Sequence, residues 1–171
     1  VGVDFIPGAE VVEYDVAYDR ALAAIKELAP YAESKKVAIG LENVWNKFLL
    51  SPLEMRDFID RVGSDYVGAY LDVGNVIYNG YAEHWVKILG RRIKKVHFKD
   101  YRKDVGSVAG FVDILSGDVD YPKVVAELKK IGYQSYVTGE MVPPAPFYKY
   151  YSDQIIENTS RSMDRILGRQ A

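Results

Sequence analysis

Apolar residues recur along this chain in two alternating patterns, one typical of helices and the other of short buried strands. Between positions 17 and 35 they fall every three or four residues, which predicts an amphipathic helix. The next segment, 37–41, alternates bulky and small residues and predicts a strand that leads into Glu42. Ser, Pro, Leu and Glu at positions 51–54 then form a helix start, and we expect that helix to reach about Val62.

The same strand and helix unit recurs through the rest of the chain. Further strands are predicted at 66–71, 93–98 and 135–139, and further helices at 82–89, 120–131 and 152–167. The loop from about 102 to 117 is long enough to be functional or mobile.

The order of these elements indicates the fold class. No short hairpin turn joins the strands, so we expect parallel strands with right-handed crossovers and an α/β fold. Each unit takes roughly 30 residues, as in a TIM (β/α)8 barrel. The pattern therefore predicts a partial TIM barrel, with four strands and their helices.

Each predicted strand leads to a side chain that can bind a metal ion: Glu42, Asp72, His97 and Glu140. The C-terminal ends of barrel strands meet at one mouth, so we expect these four side chains to converge there. Alternation along each strand places them on the barrel side and the bulky apolar residues against the helices. Three carboxylates and one imidazole form an oxygen-rich donor set, which favours one Mn²⁺, Mg²⁺ or Co²⁺ ion over structural zinc.

The composition narrows the classes of function. The 171 residues are 49% hydrophobic and 27% charged, which is typical of a single globular domain, here taken as residues 1–171. The chain has no cysteine, which excludes disulfides, thiolate nucleophiles and zinc–thiolate sites. Its formal charge of -2 disfavours general nucleic-acid binding. Without a run of roughly 18 apolar residues or a recognisable secretory leader, we expect a cytoplasmic protein with no membrane partner.

The donor set also indicates a type of chemistry. A bound divalent ion polarises a carbonyl and the neighbouring hydroxyl of a polyol, which acidifies the adjacent C–H bond. Glu42 and Glu140 lie on strands separated by two others, so they fit an acid/base pair on opposite faces of a substrate. Proton transfer through an enediolate then gives isomerisation or epimerisation.

Four short stretches around the strand ends carry a specific pattern. They read Leu-Glu-Asn at 41–43, Leu-Asp-Val-Gly-Asn at 71–75, Val-His-Phe-Lys-Asp at 96–100 and Gly-Glu at 139–140. Their order and spacing resemble the sugar phosphate isomerase/epimerase family of xylose isomerase-like TIM barrels. The resemblance covers essentially the whole chain as barrel strands five to eight with their helices. It implies that the four strand-end residues bind one divalent metal, and that the two glutamates exchange a proton with a keto sugar or sugar phosphate.

The resemblance further implies substrate contacts close to the metal ligands. Ketose 3-epimerases usually carry a histidine three residues after the ligand aspartate, where this chain has Asn75, which forms hydrogen bonds but does not titrate. A basic residue after the ligand histidine often contacts substrate oxygens. Arg102 is the first candidate for this role, and Lys99 the second. Trp45 and Asn46 follow the first ligand and are candidates for the wall of the sugar pocket.

Alternative functions stay open at this stage. A dehydratase of a cyclic polyol begins with the same proton abstraction beside a carbonyl. An abasic-site endonuclease-like phosphodiesterase of the same superfamily is a second alternative, although a site with several metal ions needs more ligands than this chain offers. A third is an inactive barrel fragment.

Four strands make half of an eight-stranded barrel, which leaves two sheet edges and an apolar interior to be covered. We therefore expect the sequence to be part of a longer protein. Association of two copies through the open edges is the alternative, and a homo-oligomer is expected. The expected partner is otherwise a small sugar.

Overall fold

Helices and strands alternate along the chain as the apolar pattern predicts. The computed structural model describes residues 8, 10–141 and 150–169. Its strands are β1 (Ile39–Glu42), β2 (Val67–Asp72), β3 (Ile93–Phe98), β4 (Asp100–Tyr101), β5 (Phe111–Val112) and β6 (Val137–Gly139). Its α-helices are α1 (Tyr14–Lys35), α2 (Pro52–Val62), α3 (Val73–Val76), α4 (Ala82–Leu89), α5 (Tyr121–Lys130) and α6 (Ser152–Leu167).

Four of the strands form one parallel sheet in the order β1-β2-β3-β6. This order follows the chain, and at least one helix crosses over between each pair of neighbours. Both features are those of consecutive units of a parallel barrel. The predicted α/β class and partial barrel are therefore confirmed.

Helix ends form where the sequence contains capping residues. The Ser51 hydroxyl accepts the backbone N–H of Glu54, and Gly63 closes α2 in the left-handed conformation with φ 75°. Asp120 caps α5 by accepting the N–H of Lys123. None of the helices in the described ranges is both long and apolar enough to cross a membrane.

The sheet has a helix-covered side and a polar side. Leu71, Val96 and Phe98 are fully buried on the covered side, where they pack in one cluster with residues of α2 and α4 such as Phe58 and Leu89. Intervening positions on the same strands carry polar or small residues. The alternation predicted from the sequence thus places the candidate metal-binding side chains on the side of the sheet opposite the apolar core.

The helix α3 and the strands β4 and β5 were missed by the sequence prediction. The short helix α3 follows β2 directly, because the Asp72 carboxylate accepts the N–H of Asn75 and so caps a new turn. The predicted loop 102–117 also contains structure, since β4 and β5 pair as an antiparallel ribbon.

The ribbon is organised by the buried carboxylate of Asp100. Its Oδ1 accepts the N–H groups of Tyr101 and Val119 at 2.9 and 3.1 Å, and its Oδ2 accepts those of Leu115 and Gly117 at 2.9 and 3.1 Å. A Cβ atom at position 117 would lie 2.2 Å from Asp100 Oδ1, so only glycine fits there. One side chain therefore ties the start of the ribbon to the segment that leads into α5.

Replacing Asp100 tests this arrangement. In Asp100→Asn an amide nitrogen faces one pair of backbone N–H groups, and two buried donors lose their acceptor. We expect the free energy of unfolding in urea to fall by about 2–4 kcal/mol. The control is Asp104→Asn, which removes only an exposed ion pair with Arg102 and is expected to cost less than about 1 kcal/mol. Equal stability of both variants would contradict the role of Asp100.

Candidate metal centre

Four potential metal ligands meet at the C-terminal ends of the parallel strands. One ligand atom from each of Glu42, Asp72, His97 and Glu140 lies within 4.8 Å of all the others. His97 Nδ1 occupies the middle, 3.0 Å from Glu42 Oε1, 3.2 Å from Glu140 Oε2 and 3.9 Å from Asp72 Oδ2. The structure thus brings together the four residues that the sequence singled out.

Strand register explains this convergence. Asp72 is aligned with His97 across the β2–β3 pair, and His97 with Thr138 across the β3–β6 pair. The N–H of Glu140 donates to the carbonyl of Phe98 at 2.9 Å, which continues the β3–β6 pairing beyond β6. Asp72 and His97 therefore lie at the same height, while Glu42, which is aligned with Tyr70, lies two residues below them and Glu140 two residues above, all at one end of the sheet.

Asn43 fixes the most buried ligand. Its side-chain Nδ2 donates to the carbonyl of Asp72, and its Oδ1 accepts the N–H of Asp72, both at 2.9 Å. Sequence reasoning did not assign this role, although Asn43 lies in the first of the four recognised stretches. The paired bonds tie the loop after β1 to the end of β2.

Two shielded oxygens show that the cluster fits a cation. Asp72 Oδ2 and Glu140 Oε2 are buried and accept no hydrogen bond within the described ranges. A buried carboxylate oxygen without a partner is costly, and a divalent ion bound among the ligands would supply the missing interaction. The donor set has the chemistry that Mn²⁺, Mg²⁺ and Co²⁺ prefer.

The cluster retains protons when no cation is bound. Burial raises the pKa of Asp72 to about 8, and the nearby Glu140 carboxylate acts in the same direction. The adjacent carboxylates of Glu140 and Glu42 raise the pKa of His97 to about 10. The His97 imidazole in turn holds the pKa of Glu140 well below its usual range. At neutral pH Asp72 and His97 therefore each hold a proton that a metal ion must displace.

The two basic candidates for substrate contact lie in different surroundings. Lys99 Nζ donates to Glu140 Oε1 at 3.0 Å and lies 3.8 Å from Asp72 Oδ2, so it is part of the cluster. Arg102 is exposed and pairs with Asp104 at 2.9 Å. Within the described ranges no hydrogen bond or ion pair links Arg102 to the four ligands. Arg102 directly follows β4, so it lies in the ribbon and not at the end of β3. Lys99 therefore lies within the cluster and Arg102 outside it, and both substrate contacts stay predictions.

The three remaining predicted contacts all form hydrogen bonds with the backbone of nearby loops. Asn75 Nδ2 donates to the carbonyl of Asn43, and Trp45 Nε1 donates to the carbonyl of Asn75, both at 2.9 Å. Asn46 Oδ1 accepts the N–H of Phe48 at 3.1 Å and shapes its own turn. Trp45 and Asn75 line a cavity of about 270 Å³, whereas Asn46 is not among its lining residues.

Aromatic side chains connect this cavity to the cluster. The ring of Trp45 lies 5.1 Å from the rings of Tyr101 and Phe111 and 5.5 Å from that of Tyr78. Lys99 Nζ lies over the Phe111 ring, 4.3 Å from its centroid. The sequence did not predict that Phe111 lies near the cluster. Its position depends on the pairing of β5 with β4, which brings Phe111 close to the end of β3.

The sequence matches a known protein family over nearly its whole length. Residues 2–164 match the sequence profile of a family described as xylose isomerase-like TIM barrel. The chain matches no curated protein sequence.

Solved structures share the fold at low sequence identity. The IolI protein with a bound zinc atom has a TM-score of 0.77 and 21% identity, covering 92% of this chain and 58% of that one. D-psicose 3-epimerase with D-tagatose from Clostridium cellulolyticum H10 has a TM-score of 0.73 and 16% identity, with coverages of 92% and 57%. The probable 3-DHS dehydratase AsbF from Bacillus anthracis has a TM-score of 0.66 and 15% identity, with coverages of 83% and 54%. The chain thus spans less than two thirds of each structure.

Proton displacement predicts the pH dependence of metal binding. Binding requires ionised Asp72 and neutral His97, and each has a pKa raised above neutrality, so the affinity increases as the pH rises towards those values. We expect the Kd for Mn²⁺ to fall at least about tenfold per pH unit between about pH 6 and pH 8. Isothermal titration calorimetry in buffers of different ionisation enthalpy measures both the Kd and the protons released.

The two histidines provide a matched pair of variants for this experiment. His97→Ala removes a ligand and is expected to abolish tight binding. His84→Ala changes an exposed residue of α4 and is expected to keep the wild-type affinity and pH slope. An affinity that does not vary with pH would contradict the proton displacement.

Proposed function

The chain belongs to the xylose isomerase-like TIM barrel family, and from this premise we propose that it carries the metal-binding part of an isomerase or epimerase acting on a keto sugar or sugar phosphate. The observation that carries the proposal is the cluster of three carboxylates and one imidazole at the strand ends. The structural similarity to a D-psicose 3-epimerase crystallised with D-tagatose supports this class of substrate.

Glu42, Asp72, His97 and Glu140 would hold one divalent ion, Mn²⁺, Mg²⁺ or Co²⁺. Such an ion polarises the carbonyl and the adjacent hydroxyl of a ketose, which makes the intervening C–H bond more acidic. Zinc belongs in any metal screen as well, because the similar IolI structure contains it.

Glu42 and Glu140 are the proposed acid/base pair. They come from the two outer strands of the sheet, β1 and β6, and reach His97 Nδ1 from different strands at 3.0 and 3.2 Å. A sugar bound over the cluster would therefore have one carboxylate on each side. One glutamate removes the proton from carbon to give the enediolate, and the other returns a proton to the opposite face.

Lys99 and Trp45 are the proposed substrate contacts. The Lys99 ammonium lies beside Glu140 and Asp72, where it would donate to a substrate oxygen as negative charge develops there. Together with His97, its ion pair also favours the ionised form of Glu140, the form that can accept a proton. Trp45, with Phe111 beside it, would form an apolar wall for the carbon skeleton.

Dehydration of a cyclic polyol is the second candidate. It is favoured by the structural similarity to the probable dehydratase AsbF. Both reactions begin with removal of a proton beside a carbonyl, and they differ in whether a hydroxyl group then leaves as water. The products therefore distinguish the two candidates.

Exchange of a substrate proton with solvent tests the proposal. The Mn²⁺-loaded chain is incubated in D2O with D-psicose, D-tagatose, D-fructose and their phosphates, and deuterium at the carbons next to the carbonyl is measured by NMR. We expect exchange with the wild-type chain, and rates lowered by about 100-fold or more in Glu42→Gln and Glu140→Gln.

Metal content is measured for each variant, so that lost binding is distinguished from lost proton transfer. His84→Ala is the control and is expected to exchange at the wild-type rate. Release of water from a cyclic polyol, seen by mass spectrometry, would instead indicate the dehydratase. A metal-loaded chain that exchanges no proton with any of these compounds would argue against both.

A further inference from the structure

Tyr70 lies against His97, one of the four proposed metal-binding residues. It is two positions before Asp72 on β2, so both side chains point to the same face of the sheet. The centroid of its ring is 4.0 Å from that of the His97 imidazole, and the two ring planes are inclined by 42°. The imidazole that offers Nδ1 to the three carboxylates therefore packs against the tyrosine ring.

Residues of the other strands hold Tyr70 in this place. A Cβ atom at Gly40 of β1 would lie 3.0 Å from Tyr70 Cβ and 3.4 Å from its Cδ1, so the glycine leaves room for the ring. The Tyr70 hydroxyl donates to Thr138 Oγ1 of β6 at 3.3 Å. The side chain starts on β2, contacts His97 on β3 and reaches β6, and it thus spans three strands.

We propose that Tyr70 is a positioning residue of the metal centre, and that its ring fixes the His97 imidazole with Nδ1 directed at Glu42, Asp72 and Glu140. This inference rests on the proposed metal centre. A histidine side chain on a strand turns about two bonds, and a neighbour that restricts this rotation reduces the ordering needed when the metal binds. The hydroxyl bond to Thr138 restricts the tyrosine ring in turn.

The test compares variants that remove the ring with variants that remove only the hydroxyl bond. We expect Tyr70→Leu to weaken Mn²⁺ binding about 10- to 100-fold, which is the usual effect of losing a residue that orients a metal ligand. Tyr70→Phe and Thr138→Val keep the ring and are expected to stay within about threefold of the wild-type Kd. Gly40→Ala crowds the ring and is expected to weaken binding in the same direction as Tyr70→Leu.

Two spectroscopic measurements distinguish positioning from a general loss of structure. The visible absorption of bound Co²⁺ reports the ligand geometry, and we expect it to change in Tyr70→Leu and to be restored in Tyr70→Phe. In the metal-free chain, the imidazole C–H resonances of His97 are expected upfield because of the tyrosine ring current. That displacement should disappear in Tyr70→Leu and persist in Tyr70→Phe, with circular dichroism unchanged.

The outcomes separate this inference from the proposed function. If the wild-type chain binds Mn²⁺ and Tyr70→Leu binds it equally well, the role of Tyr70 is wrong and the metal centre stands. If Tyr70→Phe weakens binding as much as Tyr70→Leu does, the ring is not the positioning element and the inference is overturned. If the wild-type chain binds none of the candidate ions, the metal centre itself is wrong, and the role of Tyr70 with it.

Discussion

Electrostatic repulsion among three carboxylates is the constraint on which this structure depends. Glu42, Asp72 and Glu140 surround one imidazole, and Asp72 is completely removed from solvent, so their negative charges are costly without positive charge among them. In the metal-free chain the compensation comes from protons and from the Lys99 ammonium. Asn43 holds the backbone of Asp72 through two hydrogen bonds, and the Tyr70 ring packs against the His97 imidazole. Both contacts therefore oppose the separation of Asp72 and His97.

The parts of the structure that depend on local sequence were the parts that could be predicted. The cap at Ser51 and the glycine that ends α2 act within a few residues, so the helix bounds followed directly from the sequence. Convergence of the ligands could be predicted as well, because parallel strands and the alternation of side chains leave one place for residues at strand ends. The position of Lys99 beside the cluster could be predicted from the same alternation, since Lys99 lies two positions after His97.

Contacts between residues far apart in the sequence could not be predicted. The carboxylate of Asp100 binds N–H groups up to 19 residues away, and no periodicity in the sequence indicates such a partner. The β4–β5 ribbon that results brings Phe111 to Lys99 and places Arg102 beside Asp104, and the substrate contact expected of Arg102 stays a prediction. Tyr70 carries no metal-binding group, and only the three-dimensional structure shows that it lies against His97.

The four ligands occupy consecutive strands of one sheet, within residues 42–140. Their relative positions are set by the pairing of these strands. Side chains elsewhere in the protein can therefore change while the positions of the four cluster residues are kept.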